Sequence, residues 1–236
     1  MFKEVLEEWK KVGFKYFWGD YLDSRFYIAN LISKKKSELI LDIGCGAGVL
    51  LRYANSKFKI GVDSDYASLR AGHTLYPSLN LIQADVRYLP FRDEYFENVL
   101  AIHIISAIGN KNDRELVCNE INRILKIGGD VIIVGSNRRS KHFRSTHSNE
   151  QRLSYPHYSE ILDNLKNNFE VSIEGYGSYS RYIMAIIKRI VYSLPVKIIN
   201  TWGVEEFFFK ILRSREFLKD GRSYIIICKK KWWKYV

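Results

Sequence analysis

Cysteine is scarce in this chain. Three stand in 236 residues, Cys45, Cys118 and Cys228, far apart and without a CxxC or Cys/His ligand spacing. That excludes a disulfide framework and a zinc site as organising devices, and no metal is expected. The length suffices for one sizeable domain with an appended subdomain, its core formed without such staples. Long apolar runs are also missing. Lys188 and Arg189 interrupt the best stretch, Tyr182 to Leu194, so no segment reads as a membrane span. The opening MFKEVLEEWKK is charged and amphipathic and lacks the apolar core of a signal peptide. The expected location is therefore the cytoplasm. No internal repeat or low-complexity tract is evident.

Acidic residues are scarce in one half only. The formal charge of +11 comes from 37 Lys+Arg against 26 Asp+Glu. Residues 1–137 hold 18 basic and 17 acidic side chains, whereas residues 138–236 hold 19 and 9. A basic half on a neutral half suits an anionic partner, whether nucleic acid, a phosphorylated substrate or an anionic membrane surface. A solvated lysine-rich surface would look the same.

Hydrophobic periodicity divides the chain. Residues 1–36 read as an N-terminal helical cap, with Phe2, Val5, Leu6 and Trp9 at helical spacing, then an aromatic patch, then a helix from Phe26 to Ile32. Short apolar runs then alternate with helical stretches. Strands are expected at Leu39 to Ile43, Phe58 to Val62, Leu79 to Ile82, Val99 to Ile105 and Val131 to Val134. Helices are expected from Gly48 toward Ala54, from Ala67, and from Asp113 to Leu125, where Gly128 and Gly129 supply a stop. Such alternation implies a parallel, doubly wound α/β sheet. Beyond it lie a basic loop from Ser136 to Pro156, a helix to Leu165 and a strand from Phe169 to Ile173. A helical lid or insertion is expected over 181–219, a last strand from Ser223 to Cys228, and a basic tail over 229–236. The domain proper runs from 37 to 236.

The strongest local signal is Leu41-Asp42-Ile43-Gly44-Cys45-Gly46-Ala47-Gly48, which follows a buried strand. Glycines allow a sharp turn and close approach of a ligand to backbone N–H groups. The dinucleotide spacing G-x-G-x-x-G is broken, since Val49 stands in its sixth place. Asp63 ends the second strand, 21 positions after Asp42, where a carboxylate can accept from two ribose hydroxyls at once. Asp85 and Val86 follow the third strand, placed to offer a carboxylate and a backbone N–H to a base. All of these sit at the carboxyl ends of successive strands, the edge where open α/β sheets bind ligands.

These segments, LDIGCGAG, GVDSD, QADVRYLPF and EINRILKIGGDVIIV, resemble the successive motifs of class I S-adenosylmethionine-dependent methyltransferases, in particular the methyltransferase type 11 subgroup. The resemblance covers about residues 38–136. It implies a Rossmann-like sheet of seven strands in the order 3-2-1-4-5-7-6 with the seventh antiparallel. It also implies S-adenosyl-L-methionine as cofactor, with S-adenosyl-L-homocysteine as product. It assigns Asp42, Gly44, Cys45, Gly46 and Gly48 to the methionine end and Asp63 with Ser64 to the ribose. Asp85 and Val86 go to the adenine, and Ala101 to His103 to the floor beneath the sulfonium. Cys45 itself reads as a small packing residue. Many members carry a His or Glu pair after the fourth strand, where Ser106 and Ala107 stand here.

Methyl transfer from a sulfonium needs alignment first, and a base only where the acceptor must lose a proton. His103 is the candidate base, with a core histidine as the bland alternative. Tyr16, Tyr21, Arg138 and His142 are candidates to face the acceptor. The aromatic, basic segment 181–219 and the tail Lys229-Lys230-Lys231-Trp232-Trp233-Lys234 favour a small-molecule or lipid-like acceptor, with peripheral membrane contact compatible. Arg138, Arg139, Lys141, Arg144 and Arg152 keep RNA as an alternative acceptor. Against RNA, neither [DNS]-P-P-[YF] nor Pro-Cys follows the fourth strand. A SAM-binding module without catalysis is the third reading.

Overall fold

The computed structural model describes residues 28–29, 31–139, 144, 147–176, 213–214 and 223–232. Its centre is one twisted sheet. The strands are β1 (Lys36–Ile43), β2 (Asn55–Asp63), β3 (Asn80–Gln83), β4 (Phe96–Ile102), β5 (Leu125–Ser136), β6 (Phe169–Tyr176), β7 (Arg213–Ser214) and β8 (Ser223–Lys230). They lie in the order β3-β2-β1-β4-β5-β8-β6-β7. The first five are mutually parallel, and β8 runs antiparallel between β5 and β6. The seven longer strands thus follow the expected order, 3-2-1-4-5-7-6. The two-residue β7 adds an eighth strand at the edge, antiparallel to β6. It falls inside 181–219, so that segment is not helical throughout. The rest of 181–219, together with residues 1–27, Tyr16 and Tyr21 among them, and His142 and Trp233, lies outside the described residues.

Strand alternation sorts side chains between two apolar layers. Leu41, Ile43, Val62, Val99, Ala101, Val131, Ile133, Tyr224 and Ile226 fill one face. Helices α3 (Lys111–Ile124) and α5 (Tyr158–Leu165) cover it, with Val117, Ile121 and Ile124 from α3 and Ile161 and Leu165 from α5. Ile40, Leu100, Ile132, Val134 and Ile225 fill the other face. That layer is covered by Ile28 and Ile32, which belong to helical residues, and by Leu69 of α1 (Tyr66–Leu75). A sheet buried on both faces needs near-continuous apolar strands, and the centre of β4 and of β5 supplies them. Among the described residues no helix is long and apolar enough to cross a membrane.

Three local expectations fail for physical reasons. The stretch after Gly48 makes only one 3-10 turn, Leu51–Tyr53, in place of an α-helix. β2 already begins at Asn55, so too few residues remain to build one. Gly128 and Gly129 do not stop α3. The helix ends at Ile124 and β5 starts at once. Phe96 pairs with Leu125 and Asn98 with Asp130, so residues 126–129 bulge from the ladder, with Gly128 at φ +74°. β4 stops at Ile102 because His103 turns left-handed, at φ +62°. A further short helix, α4 (Asn149–Ser154), interrupts the expected loop before α5.

Charged groups pin the connections. Arg114 is buried. It donates from Nε and Nη2 to Glu160 Oε1 at 2.8 and 2.6 Å, and from Nη1 to the carbonyls of Ile108 and Gly109. Lys230, also buried, donates to the Asn122 and Leu125 carbonyls at 2.8 Å each, closing the C-terminal end of α3.

Gly72 marks the closest approach of α1 to the glycine loop. A Cβ there would lie 2.7 Å from the Ala47 carbonyl oxygen and 2.5 Å from Leu81 Cδ1. Gly72→Ala gains about 1 kcal/mol of helix propensity but forces backbone apart, an overpacking cost of about 1–3 kcal/mol. The expected outcome is a lowered urea midpoint at unchanged m-value; a raised midpoint would show that the loop yields.

Candidate active site

The glycine loop hangs from the second strand. The N–H groups of Gly44 and Cys45 both donate to the Val62 carbonyl, at 2.7 and 3.0 Å, and Gly48 N–H donates to the Cys45 carbonyl at 2.9 Å. Gly44, Gly46 and Gly48 all have positive φ, +71°, +54° and +75°. Two of them also need to be glycine for space. A Cβ on Gly44 would meet Ile104 at 2.8 Å, and one on Gly48 would meet Leu79 at 2.7 Å. A Cβ on Gly46 would meet nothing within 4 Å, because that residue faces open space.

The open space is a cavity of about 440 Å³. Asp42, Gly44, Cys45, Gly46 and Ala47 form one side, with Asp63 beside them. Ile28, Val49, Leu50, Ile102, His103, Ser106, Ala107, Ser136 and Tyr155 complete it. Sheet register explains the membership. Asp42 lies opposite Gly61 on one side and Leu100 on the other, and Ile102 lies opposite Val134. Asp63, Asp42, Ile102 and Ser136 therefore share one face at the carboxyl ends of β2, β1, β4 and β5. Ala101 has the opposite parity. It is fully buried in the layer beneath α3, so of the expected floor residues Ala101 to His103 only Ile102 and His103 line the cavity.

Asp42 is the unusual group. It is 2% exposed, and its Oδ1 has no hydrogen-bond partner among the described residues. Burial, and then the charge of Asp63, push its carboxyl up to about 8. Asp63 is fixed at both oxygens. Oδ2 accepts from Gly46 N–H at 2.7 Å and Oδ1 from Asp65 N–H at 2.9 Å. Each oxygen keeps a lone pair for a further donor. Asp65 in turn caps α1, accepting from Ala67 N–H at 3.0 Å and the Ser68 hydroxyl at 2.6 Å. Two carboxyl groups thus face one cavity. Among its described lining residues only His103 could balance them with positive charge. Such a wall selects a cationic or hydroxyl-bearing ligand.

The far side is less polar. His103 ends β4 with its N–H donated to the Val134 carbonyl at 2.7 Å, and its carbonyl accepts from the Ser106 hydroxyl at 3.2 Å. Helix α2 (Ile104–Ala107) then turns Ser106 and Ala107 to the cavity. Arg114, through the Ile108 and Gly109 carbonyls, anchors the end of that helix.

Several expected site residues lie elsewhere. Ser64 is exposed outside the cavity wall, its carbonyl accepting from Gln83 Nε2 at 3.1 Å. Asp85 and Val86 follow β3 but do not line the cavity. The Asp85 carboxylate is engaged by Arg87, whose Nη2 donates to Oδ2 at 2.6 Å and whose N–H donates to Oδ1 at 2.9 Å. These bonds hold the Asp85 carboxyl below its usual range. Arg138 donates to the Tyr155 carbonyl at 2.9 Å and lines a neighbouring cleft. Cys45 does line the cavity. Its thiol is raised, first by burial and then by Asp42 and Asp63, which fits a packing role and not a nucleophile. Tyr155 and Ile28 carried no local signal. Strand parity would have found Ser136.

Comparison with known proteins agrees with this geometry. The methyltransferase domain family matches residues 41–133. The phosphatidylethanolamine N-methyltransferase of Cereibacter sphaeroides is 31% identical over 109 residues, 43% of this chain and 52% of that protein. The tRNA (carboxymethyluridine(34)-5-O)-methyltransferase of Arabidopsis thaliana is 30% identical over 105 residues, 44% of this chain and 26% of that protein. The chain therefore spans about half and about a quarter of the length of these relatives. A crystallised SAM-dependent methyltransferase from Archaeoglobus fulgidus shares the fold, with a TM-score of 0.64 at 18% identity over 94% of this chain and all of the other. The strand order and the glycine loop hung from β2 thus frame a domain whose residues 41–133 match the methyltransferase domain family, on a fold shared with a crystallised S-adenosylmethionine-dependent methyltransferase.

Proposed function

We propose that the chain transfers a methyl group from S-adenosylmethionine to a small-molecule or lipid-like acceptor. The observation that carries this reading is the buried carboxyl of Asp42, whose Oδ1 has no partner among the described residues, beside Asp63 in one cavity. A buried carboxylate without a partner is costly, and a ligand ammonium would satisfy it. Asp42 takes that ammonium, the loop 44–48 gives the methionine end room, and Asp63 takes the ribose hydroxyls. When bound, S-adenosylmethionine supplies a sulfonium-activated methyl group open to in-line displacement. The residues of the chain then orient the acceptor and keep water out.

The acceptor side favours a compact, partly apolar molecule. Ile28, Ile102 and Ala107 offer apolar walls, and His103, Ser106 and Tyr155 offer polar atoms. His103 serves as general base where the acceptor must lose a proton. Its left-handed backbone makes asparagine the cleaner substitution, because asparagine tolerates that conformation. His103→Asn is expected to lower turnover by about 100-fold or more while leaving the dissociation constant for S-adenosylhomocysteine unchanged. Unchanged turnover would remove His103 from the chemistry.

Asp42 makes cofactor affinity depend on pH. With its carboxyl raised to about 8, the ligand-free protein holds Asp42 neutral below that value and must release a proton to bind an ammonium. Titration calorimetry should show S-adenosylhomocysteine binding tighten as pH rises from about 6 to about 8, by up to about tenfold per unit. Asp42→Asn should abolish that slope and weaken binding by about 10- to 100-fold, the weight of a hydrogen bond to a charged group. Stability runs the other way. A raised carboxyl favours the fold at low pH and loses that contribution as pH climbs through about 8. Ligand-free Asp42→Asn should therefore gain melting temperature over the native protein as the buffer moves from pH 5 to pH 9. A slope in affinity that survives the substitution would sink the assignment.

The acceptor class is tested with methyl-labelled S-adenosylmethionine and a cell extract, the products split by solvent extraction and nuclease treatment. Label in the organic phase or in small molecules is expected. Nuclease-sensitive label would transfer the chain to the RNA enzymes.

A further inference from the structure

Beside the cofactor cavity lies a second concavity with the opposite charge. Arg138, Arg139, Arg144 and Arg152, with Leu153, line a cleft of about 520 Å³. Arg138 and Arg139 follow the end of β5, and Arg152 and Leu153 belong to α4. Among the described residues no carboxylate forms an ion pair with any of the four arginines. Elsewhere Arg87, Arg114 and Arg123 are all paired with carboxylates. The field of the cleft reaches its neighbour. The His157 imidazole is lowered first by burial and then by Arg139 and Arg138.

The cleft is tied to the cofactor cavity. Arg138 donates to the carbonyl of Tyr155, a residue that lines that cavity. Arg139 N–H donates to Asn137 Oδ1 at 3.1 Å, which shapes the turn between the two. Ser136 also lines the cofactor cavity, and two residues of chain span at most about 7 Å. An anion seated among the arginines would therefore sit next to the wall that Tyr155 and Ser136 give the cofactor cavity.

We propose that the cleft binds a phosphate group of the methyl acceptor, so that the substrate is a phosphorylated small molecule or a phosphate-bearing lipid headgroup. This inference rests on the methyl-transfer reading. The guanidinium fork matches phosphate oxygens in pairs, and four forks around one concavity suit a single, highly charged group. A solvated basic face would spread its charges over convex surface. A track for single-stranded RNA would interleave aromatics for base stacking, whereas among the described lining residues the one apolar side chain is Leu153, 77% exposed.

The test uses the full chain and the double variant Arg139→Gln/Arg144→Gln. Both positions are exposed, and Arg138, which holds Tyr155, is left intact. Equal melting temperatures confirm folding, and an Arg139→Lys/Arg144→Lys variant restores charge without the fork. Calorimetric titration with glycerol 3-phosphate, and with glycerol as control, reads the cleft. Flotation with vesicles of phosphatidylglycerol or of phosphatidylcholine distinguishes a lipid source from a soluble one, and a short single-stranded RNA forms the last arm. The expected result is binding of glycerol 3-phosphate or phosphatidylglycerol, weakened at least about tenfold by the glutamine pair and partly restored by the lysine pair. Equal phosphate affinity in the variant overturns the proposal, as does binding confined to RNA. S-adenosylhomocysteine titrated into the same samples separates the two readings. Its failure to bind would sink the methyl-transfer reading, while phosphate binding still reports on the cleft.

Discussion

Two N–H groups, those of Gly44 and Cys45, converge on the carbonyl of Val62. The site depends on this one junction. It carries the glycine loop across the end of β2, and Asp63 then catches the loop again through the Gly46 N–H. Helix α1 closes the arrangement from behind, with Gly72 packed so near Ala47 that no side chain fits between them. Three successive positive-φ glycines follow from that path.

The junction also places an expensive group. Asp42 ends its strand on the face that opens to the cavity, with one oxygen buried and unpartnered. Among the described residues nothing pairs with that oxygen, and the charge of Asp63 adds to the cost. A buried carboxyl of this kind costs stability in the ligand-free protein. The opposite polarity of the arginine cleft, a short step along the chain from Ser136, gives the site two electrically distinct compartments. One is lined by two carboxyl groups and the other by four arginines.

Much of this was legible in the residues. Apolar strands alternating with helices implied a parallel sheet, and the acids expected at the ends of β1 and β2 do meet at one cavity. The failures were local. Gly128 and Gly129 look like a helix stop, but the ladder between β4 and β5 absorbs them as a bulge. The turn after Gly48 has helix-forming residues, but β2 starts too soon to leave room. Of Ala101 to His103, Ala101 alone turns away from the cavity, because strand register puts it on the face beneath α3. Asp85 lies where a base-binding acid is expected, yet Arg87 two residues later holds its carboxylate.

The sequence by itself determined what its local pattern encodes: strand periodicity, the glycines that only a tight turn requires, and the order of sheet-end acids. It also showed that charge gathers beyond residue 137. Only the tertiary structure decided which of these meet. Tyr155 and Ile28 reach the cavity from segments remote in sequence, and Arg138 and Arg152 share a cleft because α4 folds back beside the end of β5. Long-range packing sets those distances, and a pattern read along one chain has no access to them.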